Sequence, residues 1–349
     1  MTTVTGEPPA DERLMRASAL TRATRRPESG AVVAAVAIFA FFALTTDVFA
    51  TGRGASTWLQ ESATIGIMAV AVALLMIGGE FDLSAGAMTG FTGLVVGVLT
   101  REYGLNIWAA IGVSLALALL IGALNGILVM KTGLPSFIVT LGTYFVLRGV
   151  DLAGLKALTG DVAIQGMTKV PYYDQAKALF GSSPITIDGG ALRVSLLWWI
   201  GVTIVATWVL LRTRAGNWIF ASGGAQIAAR QVGVPVFRTK VALFMTTAGA
   251  GWLVGMLILF RTSTVQSNTG VGQEFIYIIC AVVGGCLMTG GYGSAIGAAF
   301  GALIYGMVKQ GIVYSGWDND WLYAFLGVML LGAVLLNEWV RNWAAGAKR

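Results

Sequence analysis

The sequence contains no histidine and only two cysteines, Cys280 and Cys286, which lie in or beside one apolar segment. Zinc sites are built mainly from histidine and cysteine, and activated nucleophiles commonly depend on a histidine base. Neither kind of site can be assembled here, so no catalytic or metal-binding residue is expected and a membrane enzyme is disfavoured. The two cysteines are six residues apart, which does not place them on one helical face, and they are expected to be buried apolar thiols.

Charge is also scarce. Only 11% of the residues are charged and 56% belong to the hydrophobic set, whereas ordinary soluble domains contain roughly 25% charged residues. This balance excludes a water-soluble globule. The formal net charge is +6, but the basic residues lie in short segments between apolar blocks and are not interleaved with aromatics. Nucleic acid is therefore not an expected partner.

The sequence contains long apolar runs, and several exceed the roughly 17 residues needed to cross the hydrocarbon core of a bilayer. They predict an all-α polytopic integral membrane protein with about ten transmembrane helices in a single domain over 31–340. The second and third runs, broken at 78–82, are either two spans or one span and a re-entrant helix. The ten apolar stretches are 31–46, 63–79, 83–99, 105–130, 135–154, 194–211, 241–260, 273–289, 293–313 and 322–340.

The distribution of Lys and Arg predicts the orientation. If the amino terminus is cytoplasmic, the cytoplasmic segments contain 14 of these residues and the external segments contain 7. Lys and Arg are enriched in cytoplasmic segments, so both termini are predicted to be cytoplasmic, with tails at 1–30 and 341–349. This arrangement requires an even number of spans.

Two hydrophilic segments are long enough to fold. The external loop 155–193 is expected to form a small cap that contacts an external partner, with a β-branched stretch at Ile185–Ile187. The cytoplasmic loop 212–240 contains five basic and no acidic residues, and 226–232 is expected to form a short amphipathic helix.

The first motif, at 78–86, places Glu80 and Asp82 between two apolar runs. Acids at membrane depth usually face a cavity or a partner, which makes Asp82 and Ser84 candidates for a translocation pathway. The alternative is that Asp82 and Ser84 cap the next helix by accepting bonds from backbone N–H groups. The glycines that follow, at 86, 90, 93 and 97, favour close helix packing over a pore role.

The second motif, at 134–143, begins with a proline at a helix start and carries hydroxyls on roughly one face. Neutral hydroxyls suit a polar uncharged solute, although hydroxyls that bond neighbouring helices are commoner. The pathway candidates in this motif are Ser136, Phe137, Thr140 and Thr143.

The third feature, at 280–297, is dense in glycine and ends one span as the next begins. It has no Gly-Lys-Ser/Thr and no preceding soluble strand, so a phosphate-binding loop is not expected.

In order and spacing, four motifs resemble the permease subunits of ribose/xylose/arabinose-type ATP-binding-cassette importers. These are the monosaccharide branch related to the branched-chain amino acid permeases. The resemblance extends from about residue 30 to 340. The motifs lie at 79–86, 134–143, 216–234 and 282–294.

This resemblance implies a multi-pass protein of the bacterial cytoplasmic membrane that forms an alternating-access pathway for a monosaccharide or similar polyol. It implies three protein partners: a cytoplasmic ATPase, an external sugar-binding protein and a second permease copy, which forms either a homodimer or a pair with a related chain. ATP and Mg²⁺ would bind to the ATPase, with no cofactor on this chain. The expected ATPase-coupling residues are Gly216, Gly223, Gly224, Ala228, Ala229, Arg230 and Gly233.

Two departures from the family pattern stand out. The usual Asn after Gly-Gly is Ala225 here, and the first motif has Gly79-Glu80-Phe81-Asp82 where Gly-Gly-Ile-Asp is common. The alternative function is a stand-alone secondary transporter driven by an ion gradient, with Asp82 or Glu80 as the titrating group.

Overall fold

The chain folds into helices joined by short turns and a few short strands. The computed structural model describes residues 28–346. Most of the predicted tail 1–30, including its five arginines, and the last three residues of the tail 341–349 lie outside the described residues. The helices are α1 Ser29–Thr45, α2 Gly52–Ile77, α3 Ala85–Arg101, α4 Ile107–Thr132, α5 Ser136–Gly149, α6 Leu155–Thr159, α7 Tyr173–Phe180, α8 Val194–Arg212, α9 Arg214–Gly224, α10 Gln226–Gln231, α11 Val236–Thr262, α12 Gln273–Val283, α13 Ala295–Tyr314 and α14 Trp321–Gly346.

Six membrane-length segments confirm an α-helical membrane protein. Within residues 28–346, six helical segments are long and apolar enough to cross a bilayer, and shorter apolar helices accompany them. Each of the ten predicted apolar stretches overlaps one of the helices. The six long segments are Gly52–Ile77, Ile107–Thr132, Ser136–Thr159, Val194–Arg212, Val236–Thr262 and Ala295–Tyr314.

Helix α2 lies at the centre of the protein. In its most apolar window 83% of the residues are buried, compared with 22% for the Ser136–Thr159 segment and for α8. Helices α11 and α13 pack against α2 and are themselves largely buried. The apolar outer faces of α5 and α8 are therefore left for lipid or for another protein chain.

Polar caps determine where several helices begin. The side chain of Thr51 accepts a bond from the backbone N–H of Gly54 at the start of α2, and Asn106 accepts one from Trp108 at the start of α4. Thr213 and Ser294 do the same for α9 and α13. These caps satisfy N–H groups that have no partner within the helix.

The glycines of α3 allow close packing, as predicted. A Cβ at Gly90 would overlap the carbonyl oxygen of Thr269, and one at Gly93 would lie 3.3 Å from Val265. Both predicted thiols, Cys280 and Cys286, are buried and free.

The 155–193 segment folds into small elements at one end of the protein. Strand β1, Ala163–Ile164, pairs with β4, Val265–Gln266, and β2, Ile185–Ile187, forms a hairpin with β3, Gly190–Leu192. The β-branched stretch Ile185–Ile187 is therefore strand β2 of this hairpin. This group of elements is called the cap below.

The 212–240 segment contains two helices where the sequence predicted one. Helix α10, Gln226–Gln231, confirms the predicted short helix. Helix α9, Arg214–Gly224, was not predicted, and it carries the first half of the loop to the end of α2. Residues 212–240 are called the coupling loop below.

Candidate functional site

The first motif is a break between two helices. Helix α2 ends at Ile77, and Gly79 follows with φ +82°, a conformation that favours glycine. The backbone N–H of Glu80 still bonds to the carbonyl oxygen of Leu75 at 3.1 Å. The chain then passes through 81–84 before α3 begins, so the backbone groups of this segment need partners outside a helix.

Two hydroxyls of α5 supply those partners. The backbone N–H of Phe81 donates to the Ser136 hydroxyl at 3.0 Å, and that of Leu83 donates to the Thr140 hydroxyl at 3.0 Å. Ser136 and Thr140 are buried and lie one helical turn apart. Helix α5 therefore holds the broken segment by bonds that substitute for helical ones.

A buried polar network continues from Asp82. Its carboxylate accepts bonds from the backbone N–H of Ser84 at 2.8 Å and from the Ser84 hydroxyl at 2.5 Å. The amide of Asn125 on α4 donates to the Ser84 hydroxyl at 3.1 Å and accepts from the Thr143 hydroxyl at 2.6 Å. The network thus links α3, α4 and α5.

The capping alternative is not seen at the start of α3. Asp82 accepts the N–H of Ser84, which precedes the helix, and the Ser84 side chain makes no cap bond and instead donates to Asp82. Asn125 was not singled out in the sequence, although an amide inside the apolar stretch 105–130 could have identified it. The hydrogen bonds described above join five of the six pathway candidates to neighbouring segments. The sixth candidate, Phe137, takes no part in them, and its side chain is 50% exposed.

Glycines from three motifs meet beside the break. A Cβ at Gly290 would lie 2.8 Å from the Cα of Gly79, and one at Gly223 would overlap the carbonyl oxygen of Ile77. The backbone N–H of Gly291 donates to that same oxygen at 2.8 Å. We call this contact of residues 77–79, 223–224 and 290–291 the glycine junction. It brings the coupling loop into contact with the end of α2.

A buried ion pair lies next to the glycine junction. The Lys240 ammonium on α11 donates to the Glu80 carboxylate at 2.5 Å and to the side-chain oxygen of Gln226 at 2.9 Å. The side chains of Lys240 and Glu80 are 4% and 12% exposed. Glu80 is thus paired with a cation.

The coupling residues expected from the resemblance lie in three kinds of environment. Gly216 and Gly223 pack against backbone carbonyls of α8 and α2, and Ala229 is only 5% exposed, so these three contact their own chain. Gly233 has φ +84° and forms the turn after α10. The expected residues that face outward are Gly224, Ala228 and Arg230.

Two further outward residues were not predicted. Ile227 is 78% exposed and Val232 is 80% exposed, and they flank Ala228 and Arg230 on the surface of α10. Exposed branched apolar side chains beside a basic residue are a common composition for a protein-binding surface. We call Ile227, Ala228, Arg230 and Val232 the α10 surface.

A cavity of about 940 Å³ is lined by residues of α2, α8, α9 and α11. Its lining is mainly apolar, including Val202, Leu243 and Trp252. A polyol needs hydrogen-bonding partners when it leaves water, and this cavity offers few. The break, in contrast, contains or adjoins the buried polar side chains Asp82, Ser84, Ser136 and Thr140.

Comparison with known proteins identifies the family. Residues 54–334 match the family described as branched-chain amino acid transport system, permease component. The chain is 30% identical over 291 residues to the inner membrane ABC transporter permease protein YjfF of Escherichia coli (strain K12), covering 83% of this chain and 85% of that protein. No solved structure matches the chain.

Two further relatives carry solute names. The fructose import permease protein FrcC of Rhizobium meliloti is 29% identical over 317 residues, covering 90% of this chain and 86% of that protein. The ribose import permease protein RbsC of Escherichia coli (strain K12) is 30% identical over 313 residues, covering 89% and 94%.

The family match begins in α2 and ends in α14, so it includes the break, the glycine junction and the coupling loop. The resemblance inferred from the four motifs is confirmed. The six long apolar segments agree with a protein that crosses the membrane several times. The chain therefore belongs to the branched-chain amino acid transport system permease component family and is a multi-pass membrane transport subunit, not an enzyme.

Proposed function

We propose that this chain lines the translocation pathway of an ATP-binding-cassette importer for a monosaccharide or similar polyol. The names of two relatives, ribose and fructose import permeases, support this solute class. The protein is located in the cytoplasmic membrane, as expected for this family. ATP and Mg²⁺ bind to a partner ATPase, and no cofactor binds to this chain.

One observation carries the proposal. The coupling loop is joined to the break by the glycine junction, and the break is bonded to α5 through Ser136 and Thr140. A partner that moves α10 therefore also moves the break, which is hydrogen-bonded to α5. Transport then requires only that the partners bind the outward and inward states with different affinity.

The proposed topology has ten crossings with both termini in the cytoplasm. The glycine junction and the coupling loop lie at the end of α2, and the cap packs near its start, where Gly52 lies against Asp188. These contacts support opposite locations for the coupling loop and the cap. The coupling loop is cytoplasmic, and the cap is external and meets a sugar-binding protein.

The pathway forms between two copies of the chain. Phe137, Phe145 and Val146 of α5 are exposed in the single chain, whereas Ser136 and Thr140 are buried. A second copy packed against the exposed side of α5 would enclose a passage between the two α5 helices, and Phe137 would border it. Asp82, Ser84, Ser136, Thr140 and Thr143 would position α5 from its buried side.

The α10 surface is the proposed ATPase contact. Ile227 and Val232 supply apolar area, and Arg230 favours a partner groove with acidic groups. Ala229, which faces inward, holds α10 in place. The absence of acidic residues from 212–240 is consistent with this charge preference.

The test is purification of the chain from its own host membranes on a carboxyl-terminal tag after mild cross-linking. Vanadate-sensitive ATP hydrolysis is expected in the purified material, and vesicles containing the complex are expected to take up ribose or fructose when ATP and the binding protein are supplied. Homogeneous chain with no ATPase, together with proton-driven uptake, would contradict the proposal and favour a secondary transporter.

A further inference from the structure

The ammonium of Lys240 joins two segments that are far apart in sequence. It lies 2.5 Å from the Glu80 carboxylate in the break and 2.9 Å from the side-chain oxygen of Gln226, the first residue of α10. Glu80 and Lys240 are 160 residues apart. The two bonds therefore connect α10 to the break through Lys240 of α11.

Burial gives this contact its importance. The Lys240 side chain is 4% exposed, and a buried ammonium needs its hydrogen bonds to be satisfied. Glu80 supplies the opposite charge, so Gln226 is not needed for neutralisation. Its bond to Lys240 instead fixes the start of α10 relative to the ion pair.

The contact continues to α5. The residue after Glu80 is Phe81, whose backbone N–H donates to the Ser136 hydroxyl at 3.0 Å. A displacement of Gln226 is thus passed to Lys240, then to Glu80 and then to the start of α5. Coupling between distant sites can be carried by chains of bonded groups. A claim that two sites are coupled must be tested by measuring the effect of a change at one site on the other.

We propose that Lys240 and Glu80 are positioning residues for transport. With Gln226 they link α10, the helix proposed to contact the ATPase, to the break and to α5. This inference rests on the proposed function. It adds to the glycine junction a second, polar connection between α10 and the break.

The main test substitution is Gln226→Leu, made in the complete complex. It removes the bond from Lys240 to α10 and leaves the ion pair with Glu80, so no unpaired charge is buried and the protein is expected to fold. ATPase is expected to co-purify in the parent amount and to hydrolyse ATP. Ribose or fructose uptake per ATP hydrolysed is expected to fall at least tenfold.

A second readout does not depend on the ATPase. Amide hydrogen exchange at 226–231 is expected to become faster in Gln226→Leu, while exchange in α4 stays unchanged. A loss of global stability would instead accelerate exchange in both segments. This measurement separates a loosened coupling loop from a poorly folded protein.

The chain offers a matched control. Lys309 and Glu61 form another described ion pair, with the ammonium and carboxylate 2.7 Å apart. Lys309→Met removes one partner of that pair, which joins α13 to α2 away from the coupling loop. Uptake per ATP is expected to stay at the parent value.

The remaining variants remove or exchange the charges of Lys240 and Glu80. Lys240→Met is expected to lower both folded yield and uptake, because it leaves the Glu80 carboxylate buried without its cation. Glu80→Lys combined with Lys240→Glu restores an ion pair, and the Gln226 amide can donate to the new carboxylate, so partial recovery of uptake is expected.

The outcomes distinguish the two hypotheses. A parent complex without ATPase would contradict the proposed function. A parent complex that transports normally, with a Gln226→Leu variant that keeps the parent uptake per ATP and the parent exchange rates, would overturn the role of Lys240 and Glu80 alone.

Discussion

Gly223 lies directly against the carbonyl oxygen of Ile77, so helices α9 and α2 meet backbone to backbone. A Cβ at 223 would overlap that oxygen and would lie 2.7 Å from the amide nitrogen of Gly291. Because the N–H of Gly291 donates to the same oxygen at 2.8 Å, there is no space into which a side chain could move. The coupling loop is therefore attached to the transmembrane core by contacts that only glycine permits.

Gly223→Ala is expected to destabilise the protein by roughly 1–3 kcal/mol, the usual cost of forcing one methyl group into a filled site. The measurement is the midpoint of thermal unfolding in detergent, together with folded yield. Gly224→Ala is the matched control, since a Cβ there would meet the Cα of Gly291 at 3.6 Å, an ordinary contact. Equal midpoints for the two variants would contradict the close contact at 223.

Thr140→Val tests the bond that holds the break. Valine has nearly the same shape but cannot accept the N–H of Leu83, and a buried unpaired N–H costs about 1–3 kcal/mol. A lower unfolding midpoint is expected, with a smaller change for Thr140→Ser, which keeps the hydroxyl. If valine and serine behave alike, the hydroxyl of Thr140 does not stabilise the break.

Ile227→Asp and Val232→Asp test the α10 surface. A carboxylate placed in an apolar contact loses its hydration, so co-purified ATPase is expected to fall roughly tenfold or more, which corresponds to about 1.4 kcal/mol of binding free energy. The unfolding midpoint of the chain should not change, because both side chains are exposed. Ile187→Asp, an exposed isoleucine in the cap, is the control and should retain the ATPase.

Phe180→Ala tests how the cap is anchored. Phe180 is buried, and its ring lies 6.1 Å from that of Trp198 and 5.7 Å from that of Phe260, measured between centroids. Removing a buried aromatic ring costs about 3–5 kcal/mol. A large fall in the unfolding midpoint is expected, whereas Leu179→Ala, at a neighbouring exposed position, should have little effect. Similar midpoints would mean that the aromatic cluster does not anchor α7.

The helices were predictable because the bilayer requires long apolar segments, and each of the ten apolar stretches overlaps one. The strand Ile185–Ile187 and helix Gln226–Gln231 were also predictable, because β-branched and helix-forming residues act locally. Helix α9 was missed because its glycines and mixed polarity are typical of a loop. Local composition did not reveal that these glycines pack against other backbone segments.

The contacts of the candidate site were only partly predictable. The spacing of Ser136, Thr140 and Thr143 indicated one polar face, but the sequence did not indicate that this face bonds the backbone of 81–83. The link from Lys240 to Glu80 was also missed, since nothing near either residue identifies a partner 160 positions away. Asn125 was overlooked because a single amide changes the apolar pattern of α4 very little.

The distance in sequence between Glu80 and Lys240 also affects how the protein is made. At synthesis rates of about 5–20 residues per second, Lys240 leaves the ribosome about 8–32 seconds after Glu80. During that interval the Glu80 carboxylate has no cation from α11, so the ion pair cannot form while α2 and the break emerge. The break and the coupling loop are therefore among the last parts of the chain to reach their final arrangement, and a nascent chain halted before residue 240 should leave Glu80 accessible to water.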